Sequence, residues 1–263
     1  MSDTVSQNGQ LNKFLDLLEM GELRSASQLT TGEWVANQEV KENILKVFRT
    51  STIIKFDTTD SMSFGFVDKS LFPAREFTVD HQVRLVPGGT SVRRGAYLGK
   101  GVIVMPPSYV NVGAYVGEGT MVDSHVLVGS CAQIGKRVHL SAAVQIGGVL
   151  EPIGLRPVIV EDDAFIGANV ILTEGVVVRR LAVLAAGVCL SASVPIYDTV
   201  HEKIYYGEVP EGAVVIPGAR PWDKSAWSKA HGISANCAII VKYRDEKTSH
   251  SVALDSALRI YEK

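Results

Sequence analysis

The chain has 263 residues, of which 46% are hydrophobic and 21% are charged, and its formal net charge is −2. This composition is ordinary for a soluble globular protein. The weakly negative charge argues against non-specific nucleic-acid binding, which needs clustered positive charge. The sequence shows no N-terminal apolar run of signal-peptide type and no stretch long enough to cross a membrane. We therefore expect a cytoplasmic protein that binds neither nucleic acid nor a membrane.

Residues 1–80 are predicted to form a small helical N-terminal domain. Four apolar residues recur at helical spacing before Gly21: Leu11, Phe14, Leu15 and Leu18. A second helix is predicted from the same spacing at Val40, Ile44, Val47 and Phe48, with Thr30 and Thr31 as capping candidates. Residues 53–56 fit a strand, and residues 72–77 fit a loop. Such a domain either packs against the rest of the chain or forms a wall of a shared site, and the sequence alone favours packing.

Apolar residues recur at every sixth position over residues 86–197, with one interruption. The first run is Val86, Val92, Leu98, Val104, Val110, Val116, Val122, Val128, Ile134, Leu140 and Ile146. The second run is Val160, Ile166, Leu172, Val178, Leu184, Leu190 and Ile196. Because six is not a multiple of the roughly 3.6 residues of an α-helical turn, no helix keeps these side chains on one face.

A six-residue period is typical of a parallel β-helix, in which each repeat is one short strand and one corner. The residue at the period position points into a triangular prism, and the small residue that often follows it lets the backbone turn. Three repeats make one coil, and stacked coils bury a continuous aliphatic column. The sequence therefore predicts a mainly β protein built around a left-handed parallel β-helix over residues 81–197.

The single interruption, residues 148–156, is expected to leave the prism as a loop, and long loops on a regular scaffold usually carry function. From Asp198 onward the six-residue register is expected to stop, so residues 198–263 are predicted to form a C-terminal β-rich segment. Residues 219–234 fit an exposed loop, residues 237–243 a buried strand, and residues 253–261 show helical spacing. Elements of this segment should cap the last coil, whose edge groups are otherwise unpaired.

Cysteine and histidine content bears on metal chemistry. Cys131, Cys189 and Cys237 are odd in number and widely spaced, which favours buried, reduced thiols. None has a ligand partner at metal-binding spacing, and a zinc carbonic anhydrase on this fold would need several converging histidines. The repeat region holds only His125 and His139. Many hexapeptide acyltransferases use one His as a general base, so both are candidates, although a corner or surface position is favoured for each. We expect no metal.

The core of this chain resembles the bacterial tetrahydrodipicolinate N-succinyltransferase family. The resemblance lies in the run MPPSYVNVGAYVGEGTMVDSHVLVGSCAQIGKRVHLSAAVQIGGVLEPIGLRPVIVEDDAFIGA. It extends to the N-terminal run LDLLEMGELRSASQLTTGEWVANQEVKENILKVFR and to the C-terminal runs KIYYGEVPEGAVVIPG and CAIIVK. The resemblance implies a homotrimer of three-domain subunits with active sites between neighbouring β-helices. It also implies succinyl-CoA as donor, a cyclic dicarboxylate imine as acceptor, a role in lysine and diaminopimelate biosynthesis, and no permanently bound cofactor.

The same resemblance implies roles for individual residues. Asp123 aligns with the family's substrate-binding Asp and is the candidate catalytic base, although Asp is also a common corner residue in such repeats. Arg84 aligns with the Arg that binds the substrate carboxylate. Ser130 and the backbone N–H of Gly148 match positions that line the family's site, and glycine would let that amide approach the thioester oxygen.

The groove for the CoA donor is assigned by resemblance as well. It is implied at Gly148, Ala168 and Ala186. The 148–156 loop is expected to cover the pantetheine arm.

One departure concerns the acceptor pocket. Where the family reads Gly-Ala-Arg-Ser-Glu, this chain reads Gly167, Ala168, Asn169, Val170 and Ile171. The family's Arg there helps to hold the dicarboxylate, and its Glu is considered a second catalytic carboxylate. Glu174 does not replace that Glu, because it is shifted by half a repeat. The run after Asp123 also changes, from Thr-Trp-Ala to Ser124, His125 and Val126.

Three functions therefore stay open. The first is the lysine-pathway N-succinyltransferase itself. The second is a diverged member that acylates another lysine-like amino acid, from succinyl-CoA or acetyl-CoA, as in a tabtoxin-type antimetabolite pathway. The third is a non-catalytic trimeric scaffold. Retention of Arg84, Asp123, Ser130 and the 148–156 loop argues against the third.

Overall fold

Two helices and two antiparallel hairpins form the N-terminal part of the computed structural model, which describes residues 2–56 and 65–244, with side chains from residue 8 onward. The helices are α1 (Ser2–Glu19) and α2 (Gln38–Thr50). The strands are β1 (Ala26–Gln28), β2 (Trp34–Ala36), β3 (Ile53–Phe56) and β4 (Phe66–Lys69), paired β1 with β2 and β3 with β4. Both predicted helices and the predicted strand at residues 53–56 are confirmed.

The N-terminal cap of α2 differs from the prediction. Asn37 is the N-cap, and its side chain accepts a hydrogen bond from the N–H of Val40 at 3.3 Å. Thr30 and Thr31 lie instead in the turn between β1 and β2. The prediction was wrong because the strand β2 separates these threonines from the helix, and Asn caps a helix at least as well as Thr.

The apolar faces of α1 and α2 pack on each other and on one corner of the β-helix. Their buried cluster contains Leu11, Leu15, Leu18, Val40, Ile44, Val47, Phe72, Val112 and Cys131. Val112 and Cys131 belong to the repeat region, so the cluster joins the N-terminal domain to the prism. The packing role favoured from the sequence is therefore present.

The repeat region is a stack of two-residue parallel strands. They are β5 (Arg84–Leu85), β6 (Ser91–Val92), β7 (Tyr97–Leu98), β8 (Ile103–Val104), β9 (Tyr109–Val110), β10 (Tyr115–Val116), β11 (Met121–Val122), β12 (Leu127–Val128), β13 (Gln133–Ile134), β14 (His139–Leu140), β15 (Gln145–Ile146), β16 (Ile159–Val160), β17 (Phe165–Ile166), β18 (Ile171–Leu172), β19 (Val177–Val178), β20 (Val183–Leu184) and β21 (Cys189–Leu190). Each strand up to β18 pairs in parallel with the third strand after it, as Val116 of β10 pairs with Ile134 of β13.

The second residue of each strand points into the prism and is buried in one continuous cluster. The predicted period positions from Val92 to Leu190 all belong to it. At the start of the helix the register is shifted by one residue, because Leu85, and not Val86, pairs with Val104. The predicted β-helix is confirmed.

The chain leaves the prism after β21 and then returns to it. The remaining elements are β22 (Pro195–Asp198), β23 (Lys203–Tyr206), β24 (Glu208–Val209), β25 (Ala213–Pro221), α3 (Ala226–Ala230) and β26 (Ser234–Tyr243). Strands β22 and β23 form a hairpin, after which β24 pairs with β19 and β25 with β20. Val209 and Val215 are buried in the prism, six residues apart. The expected end of the register at Asp198 was wrong, because a hairpin interrupts the repeat and only two positions follow it.

Strand β26 pairs with both β25 and β22, and its residues Ala238 and Ile240 close the end of the core. The predicted buried strand and cap are confirmed. The segment predicted as an exposed loop, 219–234, instead holds the end of β25 and the short helix α3. The helical spacing at 253–261 lies outside the described residues, and the division into three domains stays a prediction.

We name the three faces of the prism sheets A, B and C. Sheet A contains β7, β10, β13, β16, β19 and β24; sheet B contains β5, β8, β11, β14, β17, β20 and β25; sheet C contains β6, β9, β12, β15, β18 and β21. The chain runs B to C to A, so the corners are B/C, C/A and A/B.

The hairpin of β1 and β2, which we name the N-terminal hairpin, covers sheet A. Arg24 lies over the ring of Tyr115, with its guanidinium carbon 3.9 Å from the ring centroid. Trp34 donates its indole N–H to Glu161 at 2.8 Å. Sheet A is therefore covered by the N-terminal domain. The sequence-predicted site residues lie instead on sheet B and at the corners that flank sheet C.

Core truncation tests the stacking directly. Ile166→Ala should lower the free energy of unfolding by about 2 to 5 kcal/mol, because it removes a fully buried side chain between two coils and leaves a cavity. The matched control is Ile204→Ala, at a side chain that is 53% exposed, which should cost less than about 1 kcal/mol. Urea denaturation followed by circular dichroism measures both values. Equal costs for the two variants would contradict the inward assignment of Ile166.

Candidate active site

The outer face of sheet B carries two of the predicted substrate-binding residues. Arg84, on β5, is exposed, and Asp123 directly follows β11. Successive outward positions on this face are Arg84, Ile103, Met121, His139 and Phe165. Because neighbouring parallel strands are about 4.8 Å apart, Arg84 stands roughly 10 Å along the prism from the coil of Asp123. The two side chains therefore lie on one face of the prism, two coils apart.

The Asp123 carboxylate both holds its corner and keeps one oxygen available. Oδ1 accepts a hydrogen bond from the N–H of Ser124 at 2.7 Å. Among the described residues, no donor contacts Oδ2, and the side chain is half-buried. The corner role and the binding role that the sequence suggested are therefore compatible in one side chain.

His139 lies one coil further along, diagonal to Asp123 on the same face. Its ring stacks on Phe165, with centroids 4.9 Å apart and ring planes 8° from parallel. Burial lowers the pKa of His139, and the negative charge of Asp123 opposes that shift. Near pH 7 the imidazole is therefore neutral and able to accept a proton. In the sequence, His139 directly precedes the inward residue Leu140, and that position in the repeat indicates an outward side chain on sheet B. His125, in contrast, is exposed at the B/C corner.

Ser130 and Gly148 occupy equivalent positions of the C/A corner in successive coils. Their backbones approach so closely that a Cβ added to Gly148 would lie 2.7 Å from the Ser130 nitrogen. Gly148 is exposed, and no acceptor for its N–H is found among the described residues. The Ser130 hydroxyl likewise contacts no described partner. A fixed and unoccupied backbone N–H has the properties of an oxyanion donor.

The 148–156 segment leaves the prism between β15 and β16 as predicted. We name it the donor loop after the role that the sequence resemblance implies for it. It is fixed at both ends by hydrogen bonds. Val149 donates its N–H to the carbonyl of Ser130 at 3.1 Å. At the other end, Lys41 of α2 donates to the carbonyl of Leu155, and Arg156 donates two N–H groups to the carbonyl of Gly175 at 2.9 and 3.0 Å.

Ala168 and Ala186 are stacked at the B/C corner in successive coils. Gly187 donates its N–H to the carbonyl of Ala168 at 2.9 Å, and a Cβ on Gly167 would come within 2.6 Å of the Ala186 nitrogen. Small residues therefore keep this corner narrow, two and three coils beyond Asp123. Such a surface leaves room for an extended ligand.

The altered acceptor residues lie near this corner. Asn169 is exposed at the B/C corner with a left-handed φ of 57°, and Ile171 is 38% exposed on sheet C. Glu174 lies at the C/A corner, three residues beyond Ile171 of sheet C, so it does not occupy the position of the family's Glu. Its carboxylate accepts a hydrogen bond from the N–H of Ala192 at 3.2 Å.

The six predicted site residues do not meet within one chain. Arg84, Asp123, Ala168 and Ala186 lie on sheet B and the B/C corner, whereas Ser130 and Gly148 lie at the C/A corner. A cavity of about 330 Å³ does lie under the N-terminal hairpin, lined by Arg24, Trp34 and Tyr115 among others, but none of the six lines it.

The thiols are only partly as expected. Cys131 and Cys237 are buried, and burial raises the pKa of Cys131 to about 11. Cys189 is exposed, because it is the outward first residue of β21, so its predicted burial was wrong.

In the part of the chain that the structure describes, no three His, Cys, Asp or Glu side chains converge so as to hold a metal ion. No helix there has the length and apolar character needed to cross a membrane.

A prism of two-residue parallel strands with small residues at its corners is the β-helix of hexapeptide-repeat proteins. A model of the hexapeptide repeat of succinyl-transferases matches residues 157–192. A solved structure from Campylobacter jejuni, titled a putative 2,3,4,5-tetrahydropyridine-2-carboxylate N-succinyltransferase, shares the fold with a TM-score of 0.56 at 18% identity. The match covers 88% of this chain and 62% of that one.

The family follows from closer relatives. A model of the tetrahydrodipicolinate N-succinyltransferase N-terminal domain matches residues 3–50. Proteins named 2,3,4,5-tetrahydropyridine-2,6-dicarboxylate N-succinyltransferase are 46% identical in Rhodopseudomonas palustris (strain BisA53) and 45% identical in Wolbachia pipientis wMel. These matches cover 93% and 95% of this chain and 87% and 88% of the relatives. The chain belongs to the tetrahydrodipicolinate N-succinyltransferase family of acyltransferases, as its sequence resemblance predicted.

The contact between Gly148 and Ser130 can be tested with one methyl group. Gly148→Ala should lower kcat for succinyl transfer about 100-fold, because relief of the 2.7 Å contact displaces the N–H at position 148. Gly154→Ala in the same loop is the control, since its Cβ would meet nothing closer than 3.6 Å. The readout is release of CoA thiol from succinyl-CoA. If Gly148→Ala keeps the wild-type kcat, the amide at position 148 does not take part in catalysis.

Proposed function

We propose that this protein is a CoA-dependent N-acyltransferase that transfers the succinyl group of succinyl-CoA to tetrahydrodipicolinate, a step of lysine and diaminopimelate biosynthesis. The observation that carries the proposal is the Asp123 carboxylate, which keeps one oxygen without a described partner on the face that also holds Arg84. The naming of relatives at 44–47% identity supports the same reaction.

The chemistry assigns one role to each of these groups. Water adds across the C=N bond of the cyclic imine and the ring opens to 2-amino-6-oxopimelate, which bears a primary amine. The amine nitrogen then bonds to the thioester carbonyl carbon while Asp123 takes its proton. The N–H of Gly148 donates to the oxyanion of the tetrahedral intermediate. The C–S bond breaks, and CoA leaves as a thiol with the proton that Asp123 returns.

Binding of the acceptor rests on charge. Arg84 is exposed, and its guanidinium forms no hydrogen bond or ion pair with a described residue, so it is available to a carboxylate in bidentate geometry. The extended donor lies along the narrow B/C corner at Ala168 and Ala186, with its thioester at Gly148 and Ser130 and the donor loop over the pantetheine arm.

Because Asp123 and Gly148 lie at different corners, the complete site needs two copies of the chain. In a closed homotrimer the C/A corner of one β-helix faces sheet B and the B/C corner of the next, and three equivalent sites result. We place this trimer in the cytoplasm, where the three free thiols stay reduced.

A second candidate function is favoured by Asn169 and Ile171. These residues stand where the family has an Arg and a Glu, and a lost Arg–carboxylate pair costs about 2 to 5 kcal/mol when the other charge stays buried. Such a cost is large enough to change the preferred acceptor. The candidate is N-acylation of another lysine-like amino acid, from succinyl-CoA or acetyl-CoA.

An acceptor screen with both donors separates the two functions. With succinyl-CoA, tetrahydrodipicolinate should react with kcat/KM at or above about 10⁴ M⁻¹s⁻¹, the lower end of the ordinary enzymic range. The screen should include monocarboxylate amines of similar length and acetyl-CoA. A monocarboxylate acceptor that outperforms tetrahydrodipicolinate would replace the first proposal by the second.

Substitution of the proposed base separates chemistry from binding. Asp123→Asn should lower kcat at least about 100-fold, because an amide takes no proton, while leaving the dissociation constant of CoA unchanged in calorimetry. Asp162→Asn is the matched control, since Asp162 also binds a backbone N–H, that of Lys136, at the A/B corner. Equal turnover in the two variants would leave Asp123 with a corner role only.

The assembly has its own measurement. Sedimentation equilibrium should give three times the chain mass of 28.4 kDa, because each site takes residues from two chains. A monomer that retains full activity would refute the shared site.

A further inference from the structure

Lys41 is an unusual residue for the position it occupies. It lies on α2 with 0% of its surface exposed and is among the largest fully buried side chains. Lysine is almost never fully buried unless it is paired. Among the described residues, no carboxylate forms an ion pair with Lys41, and the acceptor that its ammonium contacts is the carbonyl of Leu155 in the donor loop.

The surroundings of Lys41 are the underside of the C/A corner. Cys131 and Ser25 are both fully buried beside it, and the Ser25 hydroxyl donates to the carbonyl of Gly113 at 3.0 Å. Burial lowers the pKa of Lys41, and the neighbouring Cys131 thiol opposes that shift. Cys131 directly follows Ser130, so this cluster supports the corner that carries Ser130 and Gly148.

Packing alone does not explain an ammonium here. A methionine would fill a similar volume without the loss of hydration that a buried charge suffers. What only a long cation supplies is a strong hydrogen bond to the carbonyl of Leu155, near the far end of the donor loop. The start of that loop is held to Ser130 through Val149, and Leu150 packs on the N-terminal cluster.

We propose that Lys41 is a positioning residue, through which the N-terminal domain holds the donor loop over the acyl-CoA thioester. The assignment of a donor to this loop rests on the proposed function. Lys41 itself touches neither the donor nor the acceptor. It acts by fixing the Leu155 carbonyl, and thereby the path of residues 149–155 above the Gly148 amide.

Amide hydrogen exchange tests the positioning without reference to activity. Lys41→Met should speed exchange of peptides covering 149–156 by at least about tenfold, because the loop loses one of its anchors. Peptides from the coil strands should keep their wild-type rates. Lys46→Met is the matched control, since Lys46 is exposed on the same helix. If Lys41→Met does not fold, Lys41→Gln, which is shorter and neutral but still polar, is measured with the same expectation.

Kinetics then distinguish positioning from general support of the fold. Lys41→Met should raise KM for succinyl-CoA at least about tenfold and leave KM for the acceptor within about twofold, since only the donor lies under the loop. Lys41→Arg, which keeps a cationic donor, should restore much of the loss. A variant that only lost stability would lower the active fraction without separating the two KM values.

The outcomes are distinguishable. Wild-type exchange in the donor loop of Lys41→Met and Lys41→Gln would overturn the proposal, as would equal increases in both KM values. If the native protein transfers no acyl group but Lys41→Met still loosens the loop, the proposed function fails while the anchoring role of Lys41 stands.

Discussion

The constraint on which this structure depends is the spacing of parallel strands. Each inward side chain must fill the height of one coil, about 4.8 Å, because the backbone hydrogen bonds of neighbouring coils fix that distance. Val, Ile and Leu meet it at nearly every inward position, and together they form one uninterrupted core. The corners must turn sharply within the same height. At Gly117, for example, a Cβ would lie 2.5 Å from the carbonyl oxygen of Gly135, so the two backbones are in direct contact.

The same constraint places the candidate site. A regular prism has no cleft of its own, so function lies in what departs from regularity. Asp123 uses one carboxylate oxygen for its corner, and no described residue donates to the other. The donor loop replaces a corner, and His139 stacks on Phe165 on the outer face of sheet B. A site assembled from such local departures is shallow in one chain. In the proposed trimer a second chain supplies the opposite wall, so the proposed chemistry and the proposed trimer are one hypothesis.

Much of the fold could be predicted because a six-residue period is visible in sequence over many repeats. The position of the donor loop followed from the one break in that period, and the family resemblance supplied Asp123, Arg84 and Gly148. The features that the sequence did not predict are local contacts or elements outside the regular repeat. Val209 and Val215 resume the register after a hairpin, and two positions are too few to stand out as a repeat. Asn37 caps α2 through a single hydrogen bond, and the contact between Lys41 and Leu155 joins residues far apart in sequence. No periodic pattern records a contact of that kind.

The hairpin of β22 and β23 lengthens the stretch of chain that must close to form the last coil. A regular coil joins strands such as those of Val116 and Ile134, whereas the last one joins Val178 to Val209, across a much longer stretch of chain. Closing a longer loop costs more chain entropy, and a stack of repeats grows by adding each coil to one already formed. We therefore expect the terminal coil to join the stack late in folding and to open early in unfolding. Strand β26 stabilises that end of the stack, because it pairs with both β25 and β22.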